Sequence, residues 1–337
     1  MKLTKTIIAS MIIGIMCTCG YKNACAAEAY TPTELSINQN SVFDYGYTMM
    51  DDGNGFVTIK HKIIKAAKSK KSKISLTFVS EQGNVTANVI KKKGEVVPIY
   101  WKKSKLYTYS EDNKKITISV MNKKGKVEKS YLIKPEYENI SKIKEVVIHG
   151  LKIKCNKLYY LMWTFGKNNK VKNYIQTYDL KKNKVVSSKE IDESHRYRYE
   201  GNFLYRFDYG KKCFVKKYAL NGKKMLESYQ LPCSKEDFII NAHPWKNEAT
   251  TSYNFGGTFI KGNYIYVLNK KGLYRLDTRD GDNFELEYDG SNDNIFNPAQ
   301  GEELNMDCFG MFDNGNIYMI FANYDESIRK NVIYKRN

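Results

Sequence analysis

The stretch Lys157-Leu158-Tyr159-Tyr160-Leu161-Met162-Trp163-Thr164-Phe165 is followed by Val171 to Leu180, by the polar turn Lys181-Lys182-Asn183-Lys184, and by Val185-Val186-Ser187-Ser188. Aromatic and β-branched residues fill each run and polar clusters separate them, which is the pattern of short β-strands joined by tight turns. Val147 to Lys154, just ahead, reads as one more strand, so four strands lie between residues 147 and 188. Apolar positions at helical spacing appear neither here nor elsewhere after residue 27.

The phrase that opens this stretch recurs along the chain. It is a turn ending in Gly, Asn or Lys followed by an apolar pair: Gly55-Phe56-Val57, Lys105-Leu106-Tyr107, Lys157-Leu158-Tyr159, Phe203-Leu204-Tyr205, Tyr264-Ile265-Tyr266 and Asn316-Ile317-Tyr318. Successive copies lie 50, 52, 46, 61 and 52 residues apart. A second phrase follows in several copies, as in Tyr178-Asp179-Leu180, Tyr218-Ala219-Leu220 before Asn221-Gly222, and Tyr274-Arg275-Leu276 before Asp280-Gly281. Asn-Gly and Asp-Gly steps accept positive φ and mark hairpin turns. Four strands per period of about fifty residues, six times over, predict an all-β fold: a six-bladed β-propeller of four-stranded antiparallel blades. The last repeat runs out after Val332-Ile333-Tyr334, one strand short. Glu34-Leu35-Ser36-Ile37 is the expected substitute, an N-terminal strand that closes the ring, so that deleting residues 28–40 would destabilise the whole domain.

With its repeated Tyr-x-Leu-turn phrase, the chain from residue 30 to 337 resembles the exported bacterial six-bladed propellers of the TolB-like kind. The tryptophan-aspartate blade ending and the double glycine of kelch blades are missing, and Gly256-Gly257 occurs once. In proteins of the propeller type, the connections from second to third strand and from fourth strand to the next blade emerge on one face, usually the binding face. The longest connections expected here, 232–257, 289–305 and 60–73, all map to that face.

Residues 1–27 read as a signal peptide. Lys2 and Lys5 precede an apolar run, Ile7 to Cys19, that is too short to span a bilayer, and Ala24, Ala26 and Ala27 supply a small-residue cleavage site. The mature chain, 28–337, is then one propeller domain, secreted or held at the cell envelope and without a transmembrane segment; acylation at Cys19, as a lipoprotein, is the rival reading. Cleavage would leave Cys155, Cys213, Cys233 and Cys308, too widely spaced for a zinc or redox motif. Export makes nucleic acid an unexpected partner.

Charge is unevenly spread. The 337 residues carry 55 Lys plus Arg against 36 Asp plus Glu, a net +19. Residues 28–190 hold 32 basic and 15 acidic groups, whereas 191–337 hold 20 and 21. Lys62, Lys65 and Lys68 belong to a run, Lys60 to Lys73, able to attract an anionic envelope polymer, teichoic-type or polysaccharide. The competing explanation is codon composition, since 48 of the 55 basic residues are Lys. Between Arg279 and Arg329 no Lys or Arg occurs, against twelve acids. Asp277, Asp280 and Asp282 in one turn, and Asp289 and Asp293 in the next connection, raise calcium as a ligand, although Arg279 occupies the third-position oxygen ligand of an EF-hand count from Asp277. No other cofactor is indicated.

The 232–257 connection carries His243, Trp245, Tyr253 and Phe255, apolar side chains suited either to a ligand platform or to packing on the blade rim. Trp101, Trp163, Tyr159 and Tyr160 fall within strands and are expected to pack between blades. No G-x-S-x-G elbow or H-E-x-x-H helix is present. His149 and His195, near the inner strands of consecutive blades, are candidates to meet in the channel. The functional expectation is an extracytoplasmic binding module that uses its long loops for an anionic polymer, a glycan or a protein; the alternative is a propeller hydrolase or lyase acting on glycans or esters through channel carboxylates or histidines.

Overall fold

In the computed structural model of the chain, the described residues are 30–36, 47–51, 55–66, 69–112, 115–137, 143–166, 170–192, 196–234, 257–269, 271–281, 283–289, 305–322 and 329–337. They form 24 strands in six four-stranded antiparallel sheets, and no helix. After β1 (Tyr30–Glu34), blade one comprises β2 (Tyr47–Asp51), β3 (Gly55–Ala66), β4 (Ser69–Ser80) and β5 (Val85–Lys93). Blade two follows with β6 (Val97–Lys102), β7 (Lys105–Asp112), β8 (Lys115–Asn122) and β9 (Val127–Ile133). Blade three is β10 (Ile143–Lys154), β11 (Lys157–Gly166), β12 (Val171–Asp179) and β13 (Lys184–Ile191), and blade four is β14 (Arg196–Glu200), β15 (Phe203–Asp208), β16 (Phe214–Tyr218) and β17 (Met225–Gln230). Blade five contains β18 (Thr258–Lys261), β19 (Tyr264–Asn269), β20 (Gly272–Asp277) and β21 (Glu285–Asp289). Blade six has β22 (Asn305–Met311), β23 (Ile317–Ala322) and β24 (Arg329–Arg336), with β1 as its outermost strand.

Each copy of the repeated sequence phrase begins the second strand of a blade. These strands, like the third strands beside them, have sheet neighbours on both edges and blades on both faces, which buries the first residue of the apolar pair that opens each. Gly55 shows how tight the start can be: a Cβ there would lie 2.2 Å from the Val79 carbonyl oxygen.

The ring closes through β1, which pairs antiparallel with β24 from Tyr30↔Arg336 to Glu34↔Val332. The closing strand was expected at 34–37 and lies four residues earlier. What places it is Tyr30, 6% exposed, whose ring meets Tyr288 edge-on at 5.2 Å. Leu35 adds one bond, its N–H to the Asn331 carbonyl at 2.8 Å, and Ile37 lies outside the described residues.

The core is a ring of inter-blade seams. Phe56 and Val79 of blade one join Phe259 of blade five and Phe309, Phe312 and Tyr318 of blade six in one large cluster. Trp101, 1% exposed, packs blade two on Ile74 and Ile90 of blade one. Ile118, Tyr160 and Tyr174 fill the seam between blades two and three, and Phe207, Val215 and Val267 that between four and five. The seam between blades three and four is the thinnest, with Leu161, Ile175 and Leu204 as its buried apolar residues.

Candidate functional site

Antiparallel order fixes which ends of the strands share a face. The second-to-third and fourth-to-first connections leave from one face of the ring, called here the loop face, and the other turns from the opposite one. The segment after β17 and the segment after β21 both start and finish on the loop face. His243, Trp245, Tyr253 and Phe255, in the first, and Asp293, in the second, lie outside the described residues, as do Lys68 and His195.

The expected 60–73 connection is not a loop. Strands β3 and β4 run through it as a long hairpin, pairing from Gly55↔Ser80 to Ala66↔Ser69. Alternation explains this: Ile59, Ile74 and Ile90 bury against blade two, so Lys60, Lys62, Lys71, Lys73, Lys91 and Lys93, one position out of step with them, fall on the other side. Lys62 and Lys65 are therefore strand residues, and Lys62 lies opposite Lys73. Strand β5 extends the same sheet, with Lys73 opposite Lys91 and Lys71 opposite Lys93. Side chains at paired positions share a side, so Lys71, Lys73, Lys91 and Lys93 form a two-by-two block. Among the described residues, none of the four has an ion pair or hydrogen bond with its side chain. By contrast, Lys70, on the other side of the sheet, pairs with Glu95 at 2.6 Å. Exposed Ile64 and Val89 border the block. Like charges directly opposite in a ladder repel, and the block concentrates positive charge at this corner.

A second polar region lies at the inner end of the seam between blades three and four. The innermost strand β10 slips register between Ile148 and Gly150, and His149 is the extra residue of that bulge. Bulges re-aim side chains; here the imidazole stacks on Trp163 at 4.5 Å. Its Nε2 is buried without a hydrogen-bond partner. Burial, aided by the charge of Arg196, pushes the His149 pKa down to about 3, so the ring is neutral at ordinary pH. Arg196 opens β14, the neighbouring inner strand, and makes no hydrogen bond or ion pair among the described residues. The next arginine, Arg198, is 8% exposed and fully engaged, donating to Glu200 at 2.8 Å and to the Ile260 carbonyl at 3.3 Å. On the face that blade three turns to blade four, Asn173 Oδ1, Thr177 Oγ1 and Ser187 Oγ are also buried without partners, as is the Tyr199 hydroxyl of blade four. The sparse apolar filling of this seam and its unused polar atoms are two aspects of one arrangement.

Other expected residues find structural roles. Tyr160 is fully buried and donates to Gln176 at 2.6 Å. Asp277 accepts from the Arg279 backbone and guanidinium, at 3.0 and 2.9 Å, which holds its carboxyl down near a pKa of about 2 and explains the arginine in that turn. Asp289 ends β21. Among the described residues, no group of three or more His, Cys, Asp or Glu side chains is arranged to hold a metal ion. Cys155 is an exposed free thiol, and Cys213 Sγ donates to the Gly210 carbonyl at 3.6 Å. Sequence reading passed over Lys91, Lys93 and Arg196; for the first two, counting the register outward from the Glu81-Gln82-Gly83-Asn84 turn would have placed them opposite Lys73 and Lys71.

Six four-stranded antiparallel blades with a closing N-terminal strand define a six-bladed β-propeller. No protein-family model and no curated protein matches the sequence. Among solved structures the chain is similar to the β-propeller domain of the Trilobed protease from Pyrococcus furiosus, with 11% identity over 88% of this chain and 84% of that one, at a TM-score of 0.41. Pyrococcus horikoshii acylaminoacyl peptidase aligns at 10% identity and TM-score 0.41 over 83% of this chain; the chain spans 43% of that protein. The subtype N11 neuraminidase-like protein of A/flat-faced bat/Peru/033/2010 aligns at 8% identity and TM-score 0.40, covering 93% and 95%. Likeness at this level adds nothing to the fold assignment, which rests on the strand order.

Proposed function

We propose that this propeller is an extracytoplasmic binding module, exported by its N-terminal segment, that holds a linear anionic polymer against the first blade. The observation that carries this reading is the block Lys71, Lys73, Lys91 and Lys93, placed on adjacent strands with no ion-paired acid among the described residues. A composition-driven excess of lysine would scatter over solvated surfaces and acquire partners, as Lys105 does with Glu128 and Lys172 with Glu190. Lysine ammonium groups on flexible stems suit a chain of phosphates in many conformations. The segment bearing Trp245 starts and ends on the same loop face and is the natural second contact for a glycan backbone or protein attached to that polymer. The TolB-like resemblance agrees with an envelope-facing binding role.

The test uses long-chain inorganic polyphosphate as probe, titrated at several salt concentrations. Engagement of four ammonium groups on a flexible polyanion gives a log K against log salt slope of about −3. Substituting the four lysines by glutamine should bring that slope close to zero and weaken binding more than tenfold. Equal affinity and slope in the two proteins would refute the proposal.

A further inference from the structure

The lysine block leaves unexplained the inner end of the seam between blades three and four. Among the described residues Arg196, at the start of its strand, has neither an ion pair nor a hydrogen bond, although a guanidinium has five N–H donors to satisfy. Beside it the bulged His149 buries a ring nitrogen with nothing to bond, on an imidazole fixed by Trp163. These residues come from consecutive inner strands, β10 and β14, which lie against each other. The buried phenol of Tyr209, which follows β15 in blade four, also lies within the field of Arg196. Two unrelated local features, a bulge in one blade and, among the described residues, an unpaired cation in the next, thus lie on strands in contact, with the Arg196 charge felt at the His149 ring.

We propose that Arg196 and His149 form a binding site for a single oxyanion group, a carboxylate or a phosphate, at the channel end of this seam. The guanidinium supplies the charge and a two-pronged donor set. The neutral imidazole, with one N–H and one acceptor nitrogen, adds a directional hydrogen bond without a second charge. Bound oxygen atoms would satisfy the His149 nitrogen. The site takes a small molecule or a chain end, and stands independently of the lysine block on blade one, so either proposal can fail without the other.

The experiment is an NMR titration of the mature protein with His149 observed through its ring carbons. Inorganic phosphate and acetate are added separately against sodium chloride at matched ionic strength. Saturable movement of the His149 signals by one or both anions, with none from chloride, is the expected result; which anion acts identifies phosphate or carboxylate as the ligand group. Arg196→Gln should weaken the response at least tenfold while Arg196→Lys retains a large part of it, with melting temperatures confirming that both fold. A His149 signal unmoved by either anion, or moved equally in Arg196→Gln, overturns the proposal.

Discussion

Replacing Tyr30 by Ala tests ring closure at the residue that anchors it. Tyr30 is 6% exposed, its ring sits edge-on to Tyr288 of blade five at 5.2 Å, and its hydroxyl approaches the Gly315 carbonyl at 3.4 Å. Truncating a buried aromatic of this kind costs about 3 kcal/mol, at the low end for aromatic-to-alanine changes because the site is at an outer strand. Unfolding entropy of about 2.1 cal/mol/K per residue over about 300 residues is about 0.6 kcal/mol/K, so Tm should fall by about 5 °C. Calorimetry on Tyr30→Ala, Tyr288→Ala and the double variant should also show a coupling of about 0.5–1.5 kcal/mol between the rings. Val186→Ala, at an exposed position, serves as the control and should leave Tm unchanged. A Tyr30→Ala shift no larger than that control, or zero coupling to Tyr288, would mean that β1 does not bind the chain ends together.

Three further outcomes are expected. Gly55→Ala should lose several kcal/mol or fail to fold, because its Cβ would meet the Val79 carbonyl at 2.2 Å and backbone cannot rotate away; soluble yield and urea midpoints give the readout. Lys93→Gln should raise Tm slightly at low salt, by relieving about 0.2–1 kcal/mol of repulsion with Lys71, and the gain should vanish at high salt; a loss of stability would show that Lys93 has a partner. His149, with its pKa pushed down to about 3 against about 6.5 when unfolded, takes up its proton in the unfolded chain first, so its contribution to stability is complete above about pH 6.5 and is lost as pH falls towards 3. Ring-carbon shifts should stay those of a neutral imidazole from pH 7 to 5, and a midpoint near 6.5 would contradict the burial.

The architecture was legible because a propeller repeats one unit: the pair of apolar residues opening each second strand is demanded six times by the same burial. Strand boundaries in blade three, read as 147–154, 158–165, 171–180 and 185–188, agree with β10 to β13 to within a few residues. The closing strand was expected in kind and misplaced by four residues, since Tyr30-Thr31-Pro32 carries a proline that weakens a strand signal; at an outer edge a missing N–H is tolerated. The lysine hairpin was misread as a loop because charge masked the alternation of Ile59, His61, Ile63 and Ile74 with lysines. Cross-strand placement of Lys91 and Lys93 needs register, which only the turn supplies. Arg196 left no signal at all: its significance lies in having no partner among the described residues across a seam between blades.

The most direct test of the binding role is a lysine footprint. The mature protein is acetylated briefly with and without saturating long-chain polyphosphate, and modification is read residue by residue by mass spectrometry. Lys71, Lys73, Lys91 and Lys93 should be protected several-fold, while the exposed Lys123 and Lys124 of blade two keep their free rates. Protection spread evenly over all exposed lysines, or none at the block, would contradict a site on the first blade.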